Sequence, residues 1–307
     1  RDINNKKVQN TRDLKQLKST DIKSIDVITS PGAKYNAEVS AVIRIKTVRP
    51  QGDGMSVGAY SQVVYNEKWT TYDDATVKYR TGGLEAFGTI SLNNHNHSED
   101  NTLQSDTYAN GNHVSIDQYA PTSNWITMLN GQIGVSYDFD ADNSIGFTYS
   151  LGGSLYEGGT VPMQQIITRN NALEGTVDQL MKFGASNRPH HETNIYYVGK
   201  VGKLGIDFNG SWIWKKDMYN QTSFEQSLQL GDRIVTTHNE NRGNMLAGKL
   251  VLTYPIWKGE LSFGSEVTRS NSHSIYENIE RVLSPSDDEI RESNIAGFAE
   301  YQMKLGD

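Results

Sequence analysis

The chain has 307 residues, of which 36% are hydrophobic, with a mean hydropathy of −0.59 and a net charge of −7. The excess of acidic residues argues against a nucleic-acid partner, because phosphates require a surplus of Lys and Arg. Cysteine is absent, which excludes disulfides and thiolate metal sites. No run of eighteen apolar residues occurs, so a transmembrane helix is excluded, whereas strands that are apolar at every second residue remain possible.

Residues 1–50 differ in pattern from the rest of the chain. Leu14, Leu17, Ile22 and Ile25 have a roughly helical spacing. A short strand is predicted at 27–29, a turn at 30–32 and a half-buried strand at 42–47, where apolar and basic residues alternate. We therefore expect 1–50 to be a small α/β unit or the end of one, with a linker before residue 55.

From residue 55 onward the hydrophobic period is two, as in β-strands. From Leu129 to Phe139, for example, every second residue is apolar or glycine and the residues between them are polar or glycine. Ten strands are predicted, at 55–65, 69–80, 84–94, 129–139, 144–156, 193–201, 205–216, 244–254, 259–270 and 293–305. Charged residues fall on the faces opposite the apolar ones, as a lipid-facing surface requires. A soluble β-sandwich shows the same binary pattern with inside and outside exchanged, so periodicity leaves both open.

The connections between the predicted strands alternate between long and short. Long loops are expected at about 95–126, 157–192, 217–243 and 271–292, and short turns at 140–143, 202–204 and 255–258. Outer-membrane barrels have short turns on one rim and long loops on the other, whereas compact soluble domains keep most loops below about 15 residues. The pattern therefore favours an all-β, antiparallel up-and-down transmembrane β-barrel, with about ten strands in this chain after the small α/β unit.

Two segments carry a resemblance to a known family. Leu17–Glu38, with the sequence LKSTDIKSIDVITSPGAKYNAE, and the following Val42–Thr47 resemble the end of the plug domain of TonB-dependent outer-membrane receptors. Glu292–Tyr301 is similar to a mid-barrel strand of related outer-membrane barrels. The resemblance implies that 1–50 is the C-terminal part of a plug and 55–307 the N-terminal part of a 22-stranded barrel. It also implies that the chain is a piece of a longer protein.

The same resemblance implies a location in the bacterial outer membrane, among outer-membrane lipid, and uptake of a scarce nutrient such as a metal chelate, a glycan or a peptide. The TonB energy-coupling complex would bind a segment upstream of this chain, and a surface lipoprotein is a further expected partner. Two other functions remain open from the sequence. One is a barrel for assembly, adhesion or secretion that imports nothing, and the other is a soluble all-β glycan-binding module.

Candidate site residues are mainly aromatic. Those in or beside the predicted long loops are expected to contact a small ligand: Tyr108, Tyr119, Trp125 and Tyr156. Those near predicted strand ends are expected to form interfacial girdles, with a sugar-stacking platform as the alternative: Tyr137, Phe139, Trp212, Trp214, Tyr254 and Trp257.

No motif predicts a catalytic, cofactor or metal site. His95 and His97 lie two residues apart but lack a third ligand nearby, and Asp138–Asn143 lacks the glycine and glutamate of a calcium loop, so it is predicted to be a turn. No nucleophile elbow, phosphate loop or dinucleotide fingerprint occurs, and an enzyme is not expected.

Overall fold

The computed structural model describes residues 2–3, 6–7, 19, 22–28, 42–47, 53–140, 142–185, 188–227, 229 and 231–303. Within these residues the chain forms strands arranged in two separate sheets. The prediction of an antiparallel, up-and-down all-β architecture is confirmed.

The first sheet contains four short strands, in the order β2-β1-β4-β3. They are β1 (Asp2–Ile3), β2 (Lys6–Lys7), β3 (Ile22–Ile28) and β4 (Val42–Thr47). The strand predicted at 42–47 is confirmed, but the helical interpretation of Ile22 and Ile25 is wrong. Both residues belong to β3, which pairs antiparallel with β4, because β-branched residues and long-range pairing outweigh an approximate helical spacing. The predicted helix residues Leu14 and Leu17 and the turn at 30–32 lie outside the described residues.

The second sheet is built from the remaining thirteen strands. These are β5 (Gly54–Asn66), β6 (Lys68–Thr81), β7 (Leu84–Glu99), β8 (Thr102–Ala109), β9 (Asn112–Tyr119), β10 (Thr122–Asp138), β11 (Ser144–Arg169), β12 (Ala172–Ala185), β13 (Arg188–Val201), β14 (Leu204–Ser227), β15 (Arg233–Ile256), β16 (Gly259–Asn278) and β17 (Ser286–Met303).

These strands occupy ten positions in a meander. β12 and β13 follow each other along the same partners, since both pair with β11 on one side and β14 on the other. In the same way β9 continues β10 along β11, and β8 pairs with β9 beyond the end of β7. The ten successive positions agree with the number of strands predicted from the sequence.

Four short turns lie at one rim of this sheet, whereas the turn at Glu67 and the β8–β9 and β11–β12 tips lie at the other. The four are found at Gly82–Gly83, 139–140 with 142–143, Gly202–Lys203 and Trp257–Lys258, and the last three match the predicted turns. Gly82 and Gly202 have φ of 54° and 61°, the left-handed region in which a glycine avoids a clash with Cβ. Trp257 occupies the same region with φ of 53°.

The prediction of four long loops is wrong over most of their length, because most of these residues form paired strands. β11 continues to Arg169 and β14 to Ser227, and β8 and β9 form a complete hairpin within the segment predicted as the first loop. Apolar residues are fewer and less regularly spaced in these extensions, which we call the ribbons, so they lack the sustained hydrophobic alternation from which strands are predicted. Asn110–Gly111 at the β8–β9 tip is the type I′ hairpin signal that the sequence does contain, with φ of 51° and 76°.

Candidate membrane-facing surface and ligand sites

The apolar faces predicted for single strands lie in register on one face of the large sheet. The pairing connects Ile133 with Tyr149, Val135 with Phe147, and Phe147 with Ile195. Further along the sheet, Phe208 pairs with Leu250 and Leu252 pairs with Phe263. We call this continuous surface the apolar face and the opposite surface the polar face.

The apolar face is the more exposed of the two. Ile133 is 58% exposed, Leu246 61% and Ile295 81%. At the same level of the sheet, the buried Asn194 of β13 lies on the polar face, where its Nδ2 donates hydrogen bonds to the Gly210 carbonyl and to Ser211 Oγ, each at 3.0 Å. Among the described residues no second sheet covers the apolar face. A soluble domain would instead bury this surface.

The register also gives the tilt of the strands. One ladder runs from Ala86 through Val135, Phe147, Ile195, Gly210 and Gly248 to Val267. Ala86 lies two residues from the turn end of β7 at Leu84, whereas Val267, six strands further on, lies eight residues from the turn end of β16 at Gly259. The line of turns therefore steps by about one residue per strand. With ~3.3 Å per residue and ~4.8 Å between strands, that step corresponds to a tilt of about 35°.

The height of the apolar face follows from this tilt. On β15 it extends from Leu246 to Ile256. Ten residues at ~3.3 Å each, tilted by about 35°, span roughly 27 Å, close to the ~25 Å apolar band of outer-membrane barrels. We call the end of the apolar face away from the four short turns its upper end. Two charged residues lie in this upper part: Asp73, paired with Leu92, and Arg269, paired with Leu246.

Aromatic residues border the apolar face at the short-turn rim. Of the predicted girdle residues, Tyr137 and Phe139 form an edge-to-face pair with ring centroids 5.1 Å apart, and Tyr254 is 41% exposed near the end of β15. Trp257 lies in the adjacent turn and is 92% exposed. Tyr79 and Tyr301 occupy the same face near this rim, although the sequence analysis did not single them out.

A second group of aromatic residues lies at the upper border. Trp212 and Trp214, predicted girdle residues, flank His191, and Trp212 Nε1 donates to Asn244 Oδ1 at 2.9 Å. Trp125 and Tyr156 stack with centroids 6.1 Å apart on the same face, beyond Leu129. The ligand contact predicted for these two residues remains a prediction. Tyr65 and Trp69, absent from the predictions, form a third pair at this level, 4.8 Å apart.

The other two predicted ligand contacts lie on the ribbons. Tyr108 stacks on His113, its partner across the β8–β9 hairpin, at 4.4 Å, and His113 Nε2 lies 2.8 Å from Asp106 Oδ1. The hydrogen bond from His113 holds the pKa of Asp106 below its ordinary value. Tyr119 donates from its hydroxyl to Asp100 Oδ1 at 3.0 Å, which raises the pKa of the phenol. The ring of Tyr119 lines a groove of about 1040 Å³ that crosses the ribbons.

A smaller cavity of about 510 Å³ lies on the polar face of β10, β11, β13 and β14. Its lining includes charged and amide side chains: Asn130, Gln132, Ser150, His190, Glu192, Lys215 and Asp217. Such a surface suits polar contacts with a hydrated solute.

The segment compared with a calcium loop is a turn, as predicted. Asp140 Oδ1 accepts hydrogen bonds from the backbone N–H of Asp142 at 2.8 Å and of Asn143 at 2.9 Å. The bond from Asp142 is the main cause of the lowered pKa of Asp140. His95 and His97 stack at 6.0 Å, with Tyr72 and Glu99 as their polar partners. Within the described residues, no group of three His, Asp or Glu side chains is placed to hold a metal ion.

Comparisons with known proteins were made for the whole sequence and for the fold. Neither the family models nor the curated proteins give a match. Within the described residues, no helix has the length and apolar character needed to cross a membrane.

Solved structures similar to the chain include a ferric citrate transporter, a siderophore receptor and a ferric yersiniabactin uptake receptor. The ferric citrate transporter FecA is 10% identical, with a TM-score of 0.36 over 94% of this chain and 48% of its own. The siderophore receptor PiuA from Acinetobacter baumannii is 9% identical, with a TM-score of 0.35 over 92% and 51%. The ferric yersiniabactin uptake receptor FyuA from Yersinia pestis is 12% identical, with a TM-score of 0.32 over 92% and 49%.

The chain thus spans about half the length of these solved structures. Because the TM-scores lie below 0.5, functional conclusions depend on the residues of this chain itself.

Proposed function

We propose that this chain is part of an outer-membrane, TonB-dependent receptor that takes up a scarce nutrient through a plugged barrel. Residues 1–50 would be the C-terminal part of the plug, and 55–307 the N-terminal part of the barrel wall. The observation that carries the proposal is the exposed apolar face, continuous in register, about 27 Å high and bordered by aromatic residues on both sides.

The strand tilt supports closure of the wall into a barrel. Closed barrels tilt their strands by about 35–45°, and the step of about one residue per strand in this sheet gives about 35°. The polar face would then surround the lumen, where Lys249 and Glu266 form an ion pair at 3.1 Å. Burying such a pair beside a plug costs less than placing either charge against acyl chains.

The alternative of a soluble glycan-binding module is disfavoured by the same surface. It would leave residues such as Ile133, Val267 and Ile295 in water, on an apolar area far larger than soluble monomers ordinarily expose. Migration of the full-length protein in detergent gels tests this point. A folded barrel shifts its mobility on heating, whereas a protein that stays soluble without detergent and shows no shift contradicts the proposal.

Transport and its coupling are further parts of the proposal. The plug-like segment 17–47 favours TonB-coupled uptake over an assembly, adhesion or secretion role. The ligand would be a metal chelate, a glycan or a peptide, bound by the ribbons that extend beyond the apolar face. The proposal includes a surface lipoprotein as a second partner.

Growth of a deletion strain on single nutrients, with and without TonB, tests transport. We expect growth on one nutrient to be lost when the gene for this protein is deleted, and to be lost in the same way when TonB is removed. If every nutrient supports growth equally without the protein and without TonB, the barrel imports nothing, and the non-transporting alternative stands.

A further inference from the structure

The groove of about 1040 Å³ lies on the same sheet face as the apolar face but well beyond its upper border. On β14, Phe224 in the groove is ten residues past Trp214, about 33 Å along the strand at ~3.3 Å per residue. The groove crosses five successive positions of the sheet, from Tyr119 on β9 to Ile234 on β15.

Two adjacent rows of side chains form the groove. The apolar row contains Pro121, Pro162, Leu180, Phe224 and Ile234, and the polar row contains Tyr119, Gln164, Asp178, Gln226 and Asp232. Register pairs such as Leu180 with Phe224 and Asp178 with Gln226 hold each row across the strands. Phe224 is 40% and Ile234 49% exposed, so the apolar row is open to solvent.

The charge of the groove is negative. Asp178 and Asp232 lie on its polar row, and Glu280 also lines it. Glu225 and Arg233 alternate with Phe224 and Ile234 along their strands, so their side chains lie on the opposite sheet face, where they form an ion pair with each other. Glu280 accepts a hydrogen bond from the Thr236 backbone N–H at 2.6 Å. Asp178 and Asp232 remain on the polar row, two strands apart, or about 10 Å at ~4.8 Å per strand.

The aromatic ring in the apolar row already attracts a cation. Lys182 Nζ lies 5.7 Å from the centroid of the Phe224 ring. A ring in this setting stabilises a positive charge over its face, and Lys182 would compete with any incoming cation.

We propose that this groove binds a basic, amphipathic peptide segment of a partner protein, with apolar side chains on the apolar row and cationic ones on the polar row. Five strand positions give a length of about 20 Å, which an extended peptide of about six residues fills. Charge complementarity excludes an anionic chelate as the favoured occupant. The inference goes beyond the proposed function and depends only on the register of the sheet.

Fluorescence anisotropy with a labelled Leu-Lys-Leu-Lys-Leu-Lys peptide tests the inference on the full-length protein in zwitterionic nanodiscs, with empty discs subtracted. The peptide is expected to bind, and binding should weaken as salt is raised. The same peptide with Glu in place of Lys should not bind. If the Glu peptide binds equally well, or if only maltohexaose binds, the inference is overturned.

Variants locate the site. Asp178→Asn and Asp232→Asn should each weaken binding by about two- to fivefold, and Phe224→Ala by about tenfold. Lys182→Gln should strengthen it, because the competing cation is removed. Asp288→Asn removes the same charge from an exposed position on β17 outside the groove and should change nothing.

Binding that survives every groove variant overturns the inference. Failure of nutrient uptake does not bear on it, because the peptide assay does not require transport.

Discussion

The side chains that distinguish the two sheet faces are neighbours in sequence. Ile133 is 58% exposed on the apolar face, and the adjacent Gln132 lies on the polar face beside Asn130 and Ser150. In a membrane, Ile133 contacts acyl chains and Gln132 contacts the lumen. In a soluble sheet with the same exposure, both side chains would contact water.

Ile133→Arg should therefore lower the free energy of unfolding of the full-length protein in lipid bilayers by about 2–4 kcal/mol, the cost of a cation near mid-bilayer. Gln132→Arg, the matched change one residue away, should cost much less. Urea titration followed by tryptophan fluorescence measures both. Equal effects of the two changes would contradict the assignment of the faces.

Glu240 is a buried carboxylate on β15, six residues beyond the upper end of the apolar face at Leu246. Lys216 Nζ donates to it at 2.9 Å and Arg242 forms a second ion pair, and these contacts hold the pKa of Glu240 below its ordinary value. Because the folded-state pKa is the lower one, the stabilisation is present above the unfolded-state pKa. It is lost as the pH falls through the folded-state value.

Glu240→Gln should destabilise the protein by about 1–3 kcal/mol at neutral pH, since a charged hydrogen-bond acceptor is replaced by a neutral one. The difference from the unmodified protein should shrink in acid, below the ordinary pKa range of glutamate. Unfolding free energies measured across pH test this. A pH-independent difference would mean that packing, rather than charge, accounts for the loss.

At the scale of elements, the ribbons are the strands that the sequence analysis did not predict. Hydrophobic alternation predicts the membrane-level strands, and residues such as Val135 and Phe147 lie on the predicted face. The ribbon strands β8, β9 and β12 lack a sustained hydrophobic alternation, so the sequence does not predict them. The groove could not be predicted from the sequence for a different reason. Leu180 and Phe224 become neighbours only through the register of β12 and β14.

The tip of the β11–β12 ribbon illustrates the local chemistry that stabilises these hairpins. Asn170 and Asn171 both have positive φ, 49° and 67°, as a type I′ turn requires. Asn170 also connects this tip to β9, because its side-chain Oδ1 accepts from the His113 N–H at 2.8 Å, and its own N–H donates to the His113 carbonyl at 2.7 Å.

Asn171→Val should destabilise this tip by about 1–2 kcal/mol, because a β-branched residue is strained in the left-handed region. Asn171→Gly, which relieves the same constraint, should leave it intact. Hydrogen exchange of the amides in β11 and β12 near the tip measures the effect. Unchanged protection in the Val variant would contradict the assigned turn.

At the scale of the whole molecule, three features of one sheet coincide. These are the exposure of the apolar face, the tilt of about 35° deduced from the register, and the height of about 27 Å that follows from this tilt and the length of the face. A soluble protein has no reason to combine them, whereas a barrel wall in an outer membrane requires all three. The sequence predicts the first through periodicity, but the tilt depends on pairing between distant strands.

The chain contains no cysteine, so single cysteines introduced along β10 for spin labelling meet no competing thiol within these 307 residues. The most direct measurement is the accessibility of labels at 130–137 in the full-length protein in bilayers, to oxygen and to a water-soluble nickel complex. The account predicts alternation, with oxygen collisions highest at 131, 133, 135 and 137, and nickel collisions highest at the even positions. Labels that reach nickel equally at odd and even positions, or oxygen most at the even ones, would contradict it.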